Sequence, residues 1–600
     1  MSSLAQFLLF GPFFHQGQLV TAPKLYHYIP GTSQEKTAWA DRNKGITAAN
    51  PIVGDANGLV AGYFSGLYKI VVKTSDGVNT LVQYDNVQII DSTDELAKVE
   101  VRPEEFGGEP TSSMDNTDAI HAALGDLPAA GGKVRLAPGD YKFSGTLDYG
   151  SRSLTIQGAG IDVTYLTLTA VDTKLHGLVG TGSLWLRDLT LRTQSPLTVY
   201  REMFAIRLDL DGTGIASGRY LQLDHVKITG FNAGAYCDGG AAYGIELATY
   251  DHCVVQPSGE LGTSQIGSSL HMNRVQNGII RHCNVDQNDV GEHGIYCFAP
   301  RNLAITHTRV KKASLSECQA IKLVGDGVAA DGTFENWVLD DVVMESCTHG
   351  LMLQTFGSEK VGLISLSNLK AKDIEGSVSI NGSLVIVNVL GTSVIDQIRM
   401  TNLTGENLGM QGIHFTGGGT AKVKLAVIDG ATVKGWSQLS SGTYTLLGSN
   451  AATEVVERLV ARSIRADGDG TGREIWNVNS FGGHAAPSIG SFEYEDLTET
   501  GTTLGPFTPA IEAAEATPSL RFGRKYLLTN PSAQNITGFV DMIPDTVYEF
   551  RVTNGNSTLK EGANLSMAGS VDWNPQSTDR FRLVAVTATT AIEDGRSDNT

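Results

Sequence analysis

The feature that most constrains this chain is a short phrase that keeps returning through its centre. An alternating apolar strand meets an Asp, Asn or His, and another residue of strand character follows. The phrase reads Leu186-Arg187-Asp188-Leu189, Leu223-Asp224-His225-Val226, Tyr250-Asp251-His252-Cys253 and Ile280-Arg281-His282-Cys283. It continues as Ile305-Thr306-His307-Thr308, Leu339-Asp340-Asp341-Val342, Leu366-Ser367-Asn368-Leu369 and Met400-Thr401-Asn402-Leu403. Its last members stand at 189, 226, 253, 283, 308, 342, 369 and 403, so the intervals are 37, 27, 30, 25, 34, 27 and 34 residues. A second phrase lies between copies of the first: Gly244-Ile245-Glu246-Leu247, Gly294-Ile295-Tyr296-Cys297, Ala320-Ile321-Lys322-Leu323, Gly350-Leu351-Met352-Leu353 and Gly412-Ile413-His414-Phe415. A repeat of this length, built from short strands without a helical period, specifies a solenoid. The uneven interval means loops of variable length on a constant coil. An all-β, right-handed parallel β-helix fits best, because WD-type propeller blades are longer and carry signature residues absent here.

Alternation sends every second side chain into the coil. Coils stack about 4.8 Å apart, so equivalent inward residues form ladders. Val226, Cys253, Cys283 and Val342 are expected in one apolar ladder. All 6 cysteines fall between Cys237 and Cys347 without zinc-site spacing, and read as reduced, buried thiols. The preceding column holds Asp188, His225, His252, His282, His307, Asp341, Asn368 and Asn402. Asn, Asp and His are the non-glycine residues most enriched in the left-handed backbone region, so this column reads as a corner of each coil. A metal ladder is the weaker alternative, and no metal or cofactor is expected.

Charge narrows the partners. Lys+Arg is 45 against Asp+Glu 64, a formal net charge of −19, which argues against duplex nucleic acid. No apolar run reaches the ~18 residues of a membrane helix. The stretch 1–14 lacks a basic leader, since the first lysine is Lys24, and reads as no signal peptide.

Upstream of the repeat, Met114-Asp115-Asn116-Thr117-Asp118-Ala119-Ile120 reads as a capped helix start, with Ala119, Ile120, Ala123 and Leu124 as its apolar face. A strand and tight turn follow from Gly131-Gly132-Lys133-Val134 to Gly139-Asp140-Tyr141. This entry resembles the opening of the pectate-lyase-like β-helix superfamily, in which a helix covers the open end of the coil. That superfamily includes lyases, hydrolases, epimerases and phage tailspikes.

The first ninety residues carry close-set turn signals and strand-like runs at 25–29, 67–72, 80–84 and 87–90, with Asp76-Gly77 as a hairpin turn. Tyr26, Pro30-Gly31-Thr32, Lys36, Trp39-Ala40-Asp41, Ala49-Asn50-Pro51, Asp55, Gly58, Tyr68-Lys69 and Asp85-Asn86-Val87 follow in an order that resembles an N-terminal module of bacteriophage tail proteins, over roughly residues 11–90. Together the two resemblances imply a tailspike. They imply a homotrimer in the virion tail, held to phage tail or baseplate proteins. It would act extracellularly on a bacterial capsule, exopolysaccharide or lipopolysaccharide during host adsorption. The expected division is 1–91 for the tail-type β domain and 92–113 for a partly helical connector. Cap and β-helix take 114–436, a linker or intervening β region 437–520, and a terminal β-sandwich for trimerisation or glycan binding 521–600. A non-catalytic receptor-binding spike and a bacterial polysaccharide lyase or epimerase are the alternatives.

For chemistry there is no Ser-His-Asp signature, phosphate loop or zinc motif. The third residue of the second phrase points outward, which predicts a column Arg207, Glu246, Tyr296, Lys322 and Met352. The loop from Asp286 through Asp289 to Glu292 and His293 is expected to feed it. Glu246, Asp286, Asp289 and Glu292 are the candidate catalytic carboxylates; Arg207, His293, Tyr296 and Lys322 are candidate substrate ligands. Carboxylates on adjacent coils would stand about 5 Å apart, near the retaining-glycosidase separation, and two coils apart about 9.6 Å, near the upper end of the inverting range. A lyase would take Tyr296 or Lys322 as base. Gly291-Glu292-His293-Gly294 half resembles one polygalacturonase element, and the rest of that pattern is missing.

Overall fold

The computed structural model describes residues 100–436 except 112, 171–175, 196–203, 213–217, 259–267, 289–292, 314–317, 327–332, 376–381 and 410, and large parts of 6–89 and 447–597. Parallel strands wind through the centre as a three-sided coil. Two sides belong to one continuous parallel ladder and the third is a separate parallel sheet of 12 strands. Connections between parallel strands are right-handed, and the solenoid is a right-handed parallel β-helix.

The repeated phrase sets the register. Leu186 pairs with Leu223, then Tyr250, Ile280, Ile305, Leu339, Leu366, Met400 and Ile428, coil after coil without a slip. These residues are all buried. The second expected ladder also forms, as Val226, Cys253, Cys283, Thr308 and Val342 are buried. All six cysteines are buried and none is in a disulfide. The thiols of Cys253 and Cys283 donate to the carbonyls of Leu223 at 3.7 Å and Tyr250 at 3.3 Å in the coil below. Each apolar side chain taken from water is worth roughly 1.5–3 kcal/mol.

Between the two ladders the chain turns a corner in the left-handed region. Asp188, His225, His252, His282, His307, Asp341, Asn368 and Asn402 have φ between 48° and 58°. Gly430 and Ser463 continue the column at 78° and 51°. The amides stack along it: Asn402 Nδ2 donates to Asn368 Oδ1 at 2.7 Å, and Asn368 Nδ2 to Asp340 Oδ1 at 2.8 Å.

The helix Thr117–Asp126 buries Ala119, Ile120, Ala123 and Leu124 against the coil core. Its first turn is capped from one residue earlier than the N-cap position, as the Thr117 N–H donates to Asp115 Oδ1 at 2.9 Å. Gly131 opens the first full strand at φ 110°, where a Cβ would stand 1.8 Å from the Ser153 carbonyl oxygen.

Two boundaries differ from expectation. Glu100–Val101 is a strand paired with Lys133 and Val134, not the end of a helical connector. The parallel ladder also runs past 436: Ile428 pairs with Ala461, and Ala461 with Tyr494, in the strands Val456–Asp467 and Ile489–Thr500. Small residues dilute the apolar alternation there, so the coil is hard to see in sequence. Before the coil, Lys24–Tyr28, Ile52–Val53, Gly66–Lys73 and Thr80–Ile89 form an antiparallel sheet over Leu25, Phe64, Tyr68 and Ile70. After it, a six-stranded sheet encloses its own core of Tyr526, Phe550, Phe581 and Trp573. Among the described residues no helix is long and apolar enough to cross a membrane.

Candidate functional site

The outer face of the 12-stranded sheet gathers charged and aromatic side chains. Its inward residues Ile206, Ala235, Leu270, Ile295, Ile321 and Leu351 pair in sequence and are buried in the coil. Their successors therefore point outward, in the row Arg207, Tyr236, His271, Tyr296, Lys322 and Met352. Two residues further on, Asp209, Asp238, Asn273 and Phe298 form a second outward row.

The rows lock into one another. Arg207 Nη2 donates to Asp209 Oδ2 at 2.8 Å, and its Nη1 to His176 Nε2 at 3.2 Å. The same guanidinium lies 5.7 Å from the Tyr236 ring centre. Tyr236 OH donates to Asp238 Oδ2 at 3.2 Å, as does Asn273 Nδ2 at 3.3 Å. Asp238 is 5% exposed, and its Oδ1 takes the Gly240 N–H at 2.8 Å with Arg274 at 3.7 Å. His271 Nε2 donates to Asn273 Oδ1 at 2.6 Å. The His271 ring packs 4.8 Å from Tyr236 and 4.7 Å from Tyr296. Lys322 Nζ sits 5.5 Å over the Tyr296 ring.

Burial tunes these groups. It pushes the His271 imidazole down to about 4, so the ring is neutral at neutral pH. Burial, then the Asp238 and Asp209 carboxylates, holds the Tyr236 phenol well above its ordinary value, so it remains a donor. Burial, with Lys322 and two further histidines, drives His293 far below the usual imidazole range.

Four expected residues, Arg207, Tyr296, Lys322 and Met352, fall in this row. Glu246 does not. Its strand, Ile245–Asp251, belongs to the other ladder, between Arg219–Thr229 and Val275–Arg281, and Glu246 Oε2 accepts from Tyr220 OH at 2.6 Å. Gly244-Ile245-Glu246-Leu247 mimics the second phrase, but the true member of that coil is Ala235-Tyr236-Cys237. Asp286 ends a strand of the same other ladder and pairs with Lys311 at 2.9 Å. His293 is buried under Tyr296, where its Nδ1 accepts the Gln319 N–H at 3.2 Å, so it supports the face from beneath. Asp289 and Glu292 lie outside the described residues. The pair that sequence reasoning missed is Asp209 and Asp238. Both stand two residues after an outward residue, in Arg207-Leu208-Asp209 and Tyr236-Cys237-Asp238, and that shared spacing was the available signal.

Adjacent strands stand about 4.8 Å apart, so the register sets the backbones of Asp209 and Asp238 one rung from each other on the same face. The aromatic rings beside them offer stacking surfaces, and Arg207, Arg274 and Lys322 offer donors. Fold and face define a parallel β-helix protein with an aromatic, charged lateral face bearing a carboxylate pair. No protein-family profile and no curated protein matches the chain. The solved structures it resembles include a bacteriophage tailspike protein and enzymes named as a glucanase, an exopolygalacturonase and a mannuronan epimerase. One is the catalytic unit of a thermostable α-1,3-glucanase from Streptomyces thermodiastaticus, at 13% identity and TM-score 0.38, covering 83% of this chain and 95% of that one. Tailspike protein 3 of bacteriophage CBA120 matches at 13% identity and TM-score 0.32, covering 73% and 65%. The A-module of a mannuronan C-5 epimerase from Azotobacter vinelandii matches at 14% identity and TM-score 0.30, covering 67% and 96%.

Proposed function

We propose that this protein is a phage tailspike that binds and depolymerises a bacterial surface polysaccharide, working as a glycosidase with Asp209 and Asp238. The observation that carries the reading is the register pairing of Asp209 with Asp238 on neighbouring strands, beside a row of aromatic side chains. Sugars stack on such rings by their apolar faces and are oriented by flanking charged donors. A flat, carboxylate-poor face would have favoured a binding-only spike. The environments of the two acids differ, which is how one site keeps two roles apart. Asp209 is the more exposed and faces solvent beside Arg207; Asp238 is buried among donors. The phage setting rests on the resemblance of the N-terminal region to tail proteins, and a homotrimer follows from the same resemblance.

The test is reducing-end release, with absorbance near 235 nm followed in parallel, on a panel of purified bacterial surface polysaccharides. Reducing ends without absorbance support the glycosidase. A rise in absorbance means β-elimination and moves the chemistry to Tyr296 and Lys322. Silence on a polymer that the protein demonstrably binds rejects the enzyme and leaves an adhesin. The binding-only reading has one observation in its favour: both oxygens of Asp238 already have partners.

A further inference from the structure

The left-handed corner explains the backbone of the column but not its imidazoles. Asn368 and Asn402 fill the same corner with amides that bond to each other. Yet four successive coils use histidine, and their rings stack. His225 and His252 lie 4.5 Å apart at 5°, His252 and His282 4.5 Å apart at 19°, and His282 and His307 5.1 Å apart at 23°.

Carboxylates meet the same rings. Asp224 Oδ1 lies 2.7 Å from His225 Nδ1. Asp251 Oδ1 lies 2.8 Å from His252 Nδ1 and 3.3 Å from His282 Nδ1. The second oxygen of each acid faces an arginine: Asp251 Oδ2 takes Arg281 at 2.7 Å, and Asp224 Oδ2 stands 3.9 Å from Arg187. Each carboxylate is thus oriented from behind while its other oxygen turns to the imidazoles, as outer partners orient ligands in metal sites. Asp224, His225 and His252 offer three ligand atoms within 4.8 Å of one another, and so do Asp251, His252 and His282.

We propose that His252 is the centre of a surface site for a divalent transition-metal ion, completed by His225 with Asp224 or by His282 with Asp251. Two imidazoles and one carboxylate suit zinc, copper or nickel and leave positions for water. The rings, 44–51% exposed, have room to draw in to the ~2.0–2.2 Å that zinc requires. The ion takes the Nδ1 lone pairs, each neutral ring keeping its one proton on Nε2. Because both triads need His252, the chain binds one ion at a time. That ion ties residues on successive coils together. His307, 3.9 Å from Asp341, lies outside both triads.

The experiment is calorimetric titration of the full chain with zinc chloride in chelator-free buffer, beside thermal unfolding with and without zinc. The expected result is saturable binding of one ion per chain and a zinc-dependent rise in the unfolding midpoint. H252N is expected to lose both, while keeping the metal-free midpoint of the parent, because Asn fills this corner elsewhere in the coil. H225N and H282N each leave one triad intact and weaken binding less. The double variant H225N/H282N leaves His252 in place and is expected to lose the ion, which keeps the test decisive if H252N folds poorly. Binding that survives in both H252N and the double variant overturns the proposal, as does no binding up to roughly 0.1 mM zinc.

Discussion

Asp209 stands in register with Asp238 on the neighbouring hydrogen-bonded strand, one ion-paired with Arg207 at 2.8 Å and the other buried and bonded to Tyr236 and Asn273. If these two acids run the chemistry, D209N and D238N each lower kcat by roughly 10²–10⁴-fold with little change in glycan affinity. E246Q retains parental activity, since Glu246 sits on the other ladder with Tyr220. Turnover assays on a polymer cleaved by the parent decide it; an inactive E246Q with active aspartate variants would return the site to the other face.

Stereochemistry gives an independent check. Paired strands set the backbones of Asp209 and Asp238 about one rung, or ~4.8 Å, apart, and carboxyl groups brought to that separation would have the spacing of retaining enzymes rather than inverting ones. Proton NMR of the first products is therefore expected to show the anomeric configuration of the substrate. Inversion would assign the reaction to acids two coils apart.

Tyr296 is central to the row, with His271 on one side and Lys322 on the other. Y296A is expected to weaken glycan binding by about 1 kcal/mol, or roughly five-fold, through lost stacking. Glycan titration by calorimetry measures this, and an unchanged Kd would take the ligand off this face.

Acid weakens the fold in a definable window. His271 titrates near 6.5 when unfolded and is pushed down to about 4 by burial in the native coil. Between those values the unfolded chain holds a proton that the native chain does not. The contribution is present above about 6.5 and is lost as pH falls toward about 4, at a scale of about 3 kcal/mol. Thermal unfolding followed over that range is expected to show the midpoint falling with pH, with a shallower slope in H271N. Equal slopes in the two proteins would remove His271 as a cause.

The corner makes its own prediction. His307 holds φ 48°, where asparagine is comfortable and a β-branched residue is not. H307N is expected to unfold near the parental midpoint, and H307V to lose about 1–2 kcal/mol. Denaturant titration of both variants distinguishes a backbone requirement from one for the ring.

Much of the coil was legible because two of its columns are chemically narrow. The inward residue of the first phrase is always large and apolar, and the corner accepts few residue types, so both recur visibly from Leu186 to Asn402. The corner faded from view at Gly430 and Ser463, although the backbone requirement is the same there. The outer face was less legible, because nothing in the coil restricts what points outward. Glu246 was misplaced since Gly-Ile-Glu-Leu and Gly-Ile-Tyr-Cys obey the same alternation while lying on different sides. Only pairing partners separate them: Ile245 joins Val275, whereas Ile295 joins Leu270 and Ile321. Asp238 was passed over because an acid at a strand end reads as ordinary surface until Tyr236 and Asn273 are seen bonded to it.

The unslipped register from Leu186 to Ile428 has an evolutionary consequence. A single residue gained or lost within a strand would turn every following side chain of that strand inside out. Length can therefore change at the loops, at a bulge such as the one that seats Glu246 between the partners of Arg219 and Tyr220, or by whole turns of the coil. Duplicating one turn would displace everything beyond it by a single rung and leave each column intact. A lineage of such proteins is free to count in coils, lengthening or shortening its reach while the same few columns remain the grammar of the fold.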